Sequence, residues 1–362
     1  MKVLIALEGP VAEGPNVWAN SLYYYIASQF HNPGKDIINQ VKTTNFKSLI
    51  KAIFSIRKYD IFHFYSQSYG AALLFLLCKI LGKKIIFTMH GNMTIESKYK
   101  PIPIRWLWIP AHLFVMKNVD VVTYPSQYLK SSMSEYFKSK KQQKKYKFSH
   151  HVIPNGTLVG EYPVKQVNSR VNRLKEIKKG SSQLKILMLT SFYFEPKSKG
   201  IETLKETIEI LNNQGIKTQV KIGGKGPMLE HYKQKFHNSD VSFLGYCDDK
   251  KELEWADIYV HLSYLDNQPL AILKAGAVGL PSVASNIGGI PEIYSFSSKD
   301  MVWGLTPNKP NIVANKIMDL ISDEKFYLET SKKQYSNIKK NFSMATVGNN
   351  FWDLYTNIYR KN

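Results

Sequence analysis

Cysteine is scarce in this chain, and its scarcity excludes two classes at once. Only Cys78 and Cys247 occur in 362 residues, too few for a disulfide-stapled secreted scaffold or a cysteine-rich zinc module. Glycine and proline number 21 and 16, far below collagen-like or low-complexity content. No uncharged apolar run approaches the roughly 18 residues that suggest a membrane-spanning helix. The nearest, Ala71–Cys78 and Arg105–Met116, are cut by Lys79, Arg105, His112 and Lys117. Met1-Lys-Val-Leu-Ile-Ala-Leu7 is too short for the apolar region of a signal peptide and reads as a buried first strand. A cytoplasmic setting with reduced thiols is the expectation. Acid is the scarce charge: 28 Asp+Glu against 49 Lys+Arg leave +21. That field predicts an anionic partner, whether nucleic acid, an acidic membrane surface or a phosphate-bearing substrate. No helix-turn-helix, zinc or RNA-recognition signature accompanies it, so no nucleic-acid partner is expected.

What is present is a folded composition, 44% hydrophobic and 13% aromatic, long enough for two domains of roughly 150–200 residues. Short apolar runs alternate with helical stretches. The strand candidates are Lys2–Leu7, Asp60–Tyr65, Lys84–Met89, Asp120–Tyr124 and His151–Ile153. The pattern then restarts with Lys185–Thr190, Gln219–Ile222, Val241–Leu244, Asp257–Leu262 and Ser282–Ser285. Near-continuous apolar strands separated by helices predict parallel sheets covered on both faces, and two series predict two doubly wound domains. The polar stretch Gly156–Gln183 lacks a strand-like run and reads as a linker with room for a short helix. The expected division is a first domain over 1–165, a linker over 166–183 and a second domain over 184–340. A final segment, 341–362, places Val347, Phe351, Leu354 and Ile358 at helical spacing after the strands are used up.

In parallel sheets the ligand sits at the carboxyl ends of the strands, so the chemistry is sought there. Ile222-Gly-Gly-Lys-Gly-Pro-Met228 runs from a strand through glycines into a helix start, as does Asn286-Ile-Gly-Gly-Ile-Pro-Glu292. Glycines admit close approach of an anion to backbone N–H groups. A third turn, Ser191–Gly200, carries Lys197 and Lys199 just before a helix. Any one such turn is compatible with a purely structural role. Three in one domain suggest convergence on one phosphate-rich ligand.

Ser263–Ser285 and the turns around it resemble glycosyltransferase family 4, as do Thr88-Met-His-Gly91, Ile153-Pro-Asn-Gly156, Glu195-Pro-Lys-Ser-Lys-Gly200 and Phe243-Leu-Gly245. The likeness covers nearly the whole chain. It implies an α/β protein of the GT-B fold, with two facing Rossmann-like domains and a C-terminal helix crossing back to the first. It also implies retaining transfer from a nucleotide-sugar donor to a glycan or lipid-linked acceptor, without a metal or other cofactor. No Asp-x-Asp pair argues otherwise. By the same resemblance His90 faces the donor sugar, and Asp266 holds the place of the first of two family glutamates, which touches that sugar. Lys199 matches a lysine that grips the donor diphosphate, and Gly14, Gly223, Gly224, Asn286, Gly288, Gly289 and Glu292 fall in donor-binding turns. Developing charge on the leaving phosphate is the physical need these groups would meet.

Three features depart from the family pattern, one of them a glycine-rich first loop reduced to Glu13-Gly-Pro-Asn16. Lys274 stands where a second glutamate would hold the ribose, and Phe192 stands where an arginine would grip the diphosphate, with Lys197 the nearby substitute. Lys274 is expected to pair with Asp266 or Glu292, or to reach an anionic group of the donor, because a buried ammonium needs a partner. These departures support a second reading, an inactive transferase-like subunit that assists an active partner. The basic residues Lys140, Lys141, Lys144 and Lys145, with Arg105, Trp106 and Trp108, fit an acceptor or anionic membrane surface on the inner face of the membrane. A core helix beside a solvated loop is the alternative for that region.

Overall fold

A computed structural model describes residues 1–7, 14–32, 35–65, 69–99, 110, 113–139, 148–236, 240–294 and 304–360. The chain divides into two compact units, Met1–Thr157 with Ser343–Asn362, and Leu158–Phe342.

Among the described residues the first unit carries a six-stranded sheet. Its strands are β1 (Lys2–Leu7), β2 (Ile37–Lys42), β3 (Ile61–Phe64), β4 (Lys84–Thr88), β5 (Val121–Tyr124) and β6 (Ser149–Val152). The order is β2-β1-β3-β4-β5-β6, parallel throughout. Leu4, Ala6, Phe62, Phe64, Ile85, Phe87, Val122 and Tyr124 point into one core, which helices Phe46–Ser55 and Tyr69–Ile80 cover. Their neighbours along each strand are buried too, so both faces of the sheet are covered.

The second unit repeats the plan with β7 (Leu184–Leu189), β8 (Thr218–Gly223), β9 (Val241–Gly245), β10 (Ile258–His261), β11 (Ser282–Ser285) and β12 (Leu305–Thr306). Their order is β12-β11-β10-β7-β8-β9, again parallel. Strand β7 shows the two-residue period: Ile186 and Met188 enter one core, Leu187 and Leu189 the other. The chain winds outward from β7 in one direction and from β10 in the other. The loops after these two strands therefore flank the switch point where such sheets bind ligands.

Three expectations need correction. The 166–183 linker is largely a 15-residue helix, Val164–Lys178, whose Val167, Val171, Leu174 and Ile177 lie in the second unit's core. The division between units falls at 157/158 and 342/343, so the first unit ends earlier than 165. Strands β2 and β12 were also absent from the sequence reading. The final segment forms a helix, Met344–Arg360, and belongs to the first unit.

Candidate active site

The loops that follow β7 and β10 are laced together. Tyr264 N–H donates to Pro196 O (2.8 Å), and the Thr190 hydroxyl donates to Lys197 O (3.0 Å). This places Lys197 Nζ 3.7 Å from Asp266 Oδ1 and Lys199 Nζ 5.7 Å from the centre of the Tyr264 ring. Gly200 permits the approach, since a Cβ there would lie 1.9 Å from Leu262 O. Gly289 N–H donates to Asp266 O (3.3 Å), so the Asn286–Gly289 turn joins the same cluster. Lys197, Lys199, Asp266 and that turn are thus brought together.

Asp266 is 8% exposed. Burial raises its pKa, but Lys197, the His261 hydrogen bond and the Asn267 N–H together outweigh burial and hold the carboxyl below the usual carboxylate range. His261 ends β10; its Nε2–H reaches Asp266 Oδ2 at 3.2 Å, and its Nδ1 lies 3.1 Å from the Tyr259 hydroxyl. The cluster offers an ionised carboxylate beside the Lys197 ammonium, with a second ammonium, Lys199, over the Tyr264 ring; such groups suit hydroxyls and phosphate respectively.

The glycine turns are more structural than the sequence suggested. Gly224, at φ +146°, packs so tightly that a Cβ would meet Thr190 O at 1.9 Å, and its N–H donates to Gly245 O. A Cβ at Gly223 would meet Cys247 Sγ at 2.6 Å. Gly288 has φ +58°, the left-handed turn that favours glycine, and Glu292 lies in the short helix Ile290–Tyr294 that follows. The N–H groups of Gly224 and Gly289 thus both donate within the fold, to Gly245 O at 2.7 Å and to Asp266 O at 3.3 Å.

Lys274 is placed elsewhere. On helix Leu270–Ala277, its ammonium pairs with Asp249 Oδ2 at 2.5 Å, neither partner fully buried. Phe192 is fully buried, its ring packed against Tyr232 and Phe243. It is a core residue, not a blocked binding position.

In the first unit, His90 follows β4, with the Trp18 ring 4.6 Å away. Burial pushes its pKa down to about 3, so the imidazole is neutral at physiological pH. Gly14 opens helix Gly14–Phe30, where an added Cβ would meet open space, and Asn16 on its first turn accepts from the Tyr65 hydroxyl. Arg105, Trp106, Trp108, Lys140, Lys141, Lys144 and Lys145 lie outside the described residues. Asp249 and His261 escaped the sequence reading; His261 carried a signal in closing a strand five residues before Asp266.

A parallel six-stranded sheet flanked by helices in each unit defines a two-domain Rossmann-like α/β protein of the GT-B kind. Residues 4–157 match Glycosyltransferase Family 4, and residues 183–323 match Glycosyl transferases group 1. The chain belongs to the family-4-like GT-B glycosyltransferases. It is 23% identical, over 71% of its length and 74% of the relative's, to the N,N'-diacetylbacillosaminyl-diphospho-undecaprenol alpha-1,3-N-acetylgalactosaminyltransferase of Campylobacter jejuni. It is 27% identical, over 67% of its length and 62% of the relative's, to the UDP-Gal:alpha-D-GlcNAc-diphosphoundecaprenol alpha-1,3-galactosyltransferase of Escherichia coli. Sucrose-phosphate synthase from Thermosynechococcus elongatus shares the fold, with TM-score 0.69, 17% identity and coverage of 99% of this chain and 100% of that one.

Proposed function

We propose that this chain transfers a sugar, with retention, from a nucleotide-sugar donor to a lipid-linked or polysaccharide acceptor in cell-envelope glycan synthesis, working peripherally at the inner face of the membrane. The observation that carries it is the Lys197–Asp266–His261 cluster, with Lys199 beside it, at the second sheet's switch point. Departure of a sugar from a nucleoside diphosphate builds positive charge at the anomeric carbon and negative charge on the leaving phosphate. In this reading Asp266 accepts from sugar hydroxyls, and the two ammonium groups offset the phosphate charge. No metal enters it. The two undecaprenol-linked relatives support the acceptor class.

Calorimetry with UDP, GDP and ADP tests the donor site. One of them is expected to bind, and Lys199→Ala to weaken it by more than about 1.5 kcal/mol, roughly tenfold, the low end for a charged hydrogen bond. If none of the three binds, the inactive-subunit reading replaces this one.

A further inference from the structure

We propose that the outer face of two neighbouring helices in the first unit, Phe46–Ser55 and Tyr69–Ile80, docks on an anionic lipid bilayer. The inference rests on the peripheral membrane placement proposed above and names the surface that would make it; it shares no residue with the donor site, so its failure leaves nucleotide binding untouched.

Helix Phe46–Ser55 buries Leu49 and Ala52. Its other side shows Phe46, Ile50 and Phe54, which are 74%, 37% and 85% exposed. They are spaced four apart and so form one stripe. Helix Tyr69–Ile80 buries Ala71, Leu74, Phe75 and Cys78 and exposes Leu73, Leu76 and Ile80, with Ile80 at 69%. The helices lie side by side on one face of the sheet, since their buried sides enter the same core. At one end a Cβ on Gly70 would touch Leu49 Cδ2 at 3.2 Å. Toward the other, Lys83 Nζ donates to Arg57 O at 3.2 Å. Six large apolar side chains thus stand on two adjacent rigid elements, where an ordinary solvated face would be polar.

The charge along this stretch of chain is mostly of one sign, although Asp36 and Glu96 flank it and Lys84 within it pairs with Asp120 at 3.8 Å. Residues 37–95 hold eight Lys and Arg and a single acid, Asp60, whose carboxylate accepts from Lys2 N–H at 2.8 Å. Lys47, Lys51, Arg57, Lys58 and Lys79 are exposed. Along helix Phe46–Ser55, at 100° per residue, the lysines at 47 and 51 fall beside the Phe46–Phe54 stripe rather than opposite it. Aromatic and aliphatic tips flanked by ammonium groups match the boundary between acyl chains and anionic headgroups. A second copy of this chain is a poor occupant, because face-to-face pairing would bring two basic fringes together.

Flotation with vesicles of phosphatidylglycerol mixed with phosphatidylethanolamine tests the proposal, with phosphatidylcholine vesicles as the neutral comparison. The full chain is expected to float with the anionic vesicles and much less with the neutral ones. F46S/F54S/I80S, all at exposed positions, should keep the parent melting temperature and lose vesicle partition by more than about tenfold. K47Q/K51Q/K58Q/K79Q should weaken binding and flatten its salt dependence. Unchanged flotation of the serine variant overturns the proposal, as does loss confined to K138Q/K140Q/K141Q/K144Q/K145Q. A wild-type dimer by light scattering that the serine variant dissolves, without vesicle binding, makes a second copy the occupant and also overturns it.

Discussion

At position 274 the family resemblance calls for a glutamate, and the fold answers the lysine with Asp249. The pair is partly solvated, with side-chain exposures of 28% and 38%, so its worth to stability is under about 1 kcal/mol. Its larger effect is on charge placement, since an ammonium held by Asp249 is not a bare cation awaiting a donor. Lys274→Glu alone therefore sets two carboxylates together and does not simply restore a ribose acceptor. We expect that variant to melt lower than the parent, and Asp249→Lys added to it to recover most of the loss. A thermal-melt double-mutant cycle with no coupling between the two positions would show that the pair does not form in solution. Asp266, Lys197 and Lys199 were legible because they sit inside motifs at strand ends. Asp249 was not, because its partner is 25 residues away and only the packing of two helices brings them together.

Helix Val164–Lys178 shows why an element can hide from a reading of composition. Its lysines and arginines gave it the polarity of a linker, yet its apolar residues recur at 167, 171, 174 and 177, one helical face. One of the charges is itself interior. Arg170 is 1% exposed, and its guanidinium donates to Leu253 O (2.9 Å), Ala256 O (3.0 Å) and Val278 O (3.3 Å). Those carbonyls close helices Asp249–Trp255 and Leu270–Ala277, whose C-terminal ends carry partial negative charge. One side chain so ties three helices together. Arg170→Met would leave the carbonyls buried without their donor, at a cost of about 3 kcal/mol. Arg170→Lys should recover less than half, since one ammonium cannot span the fork. Urea denaturation measures both, and a shift within error for Arg170→Met would refute the role. Strand β2 was missed for a related reason. It is an edge strand reading Ile-Ile-Asn-Gln-Val-Lys, and its half-buried polar residues break the apolar run by which the inner strands were recognised.

Across the whole molecule, the chain leaves the first unit after Thr157 and returns at Ser343, where Met344 N–H donates to Thr157 O at 2.7 Å. The helix was legible from apolar spacing late in the sequence and its return from the family resemblance, but what anchors it was not. Helix Met344–Arg360 stacks Trp352 on Phe30 at 4.4 Å and sets Gly348 where a Cβ would strike the Tyr25 ring. Beneath lies a buried polar chain: Tyr355 Oη to His63 Nδ1 at 2.7 Å, and His63 Nε2 to Thr88 Oγ1 at 2.6 Å. Burial, and secondarily the charge of His90, push the His63 pKa down to about 3. The unfolded chain binds that proton near the ordinary pH 6.5, so below this value unfolding takes up a proton that the folded unit refuses. Stability linked to His63 is therefore complete above about pH 6.5 and is lost as pH falls toward 3, by roughly 1.4 kcal/mol per pH unit. His90, depressed in the same way, adds a like slope. Comparing wild type with His63→Gln by urea denaturation between pH 7.5 and about 4.5 separates them, because only one proton's share disappears from the variant. Equal slopes in the two proteins would mean that His63 titrates in the folded state, and that the return helix is not seated on a neutral imidazole.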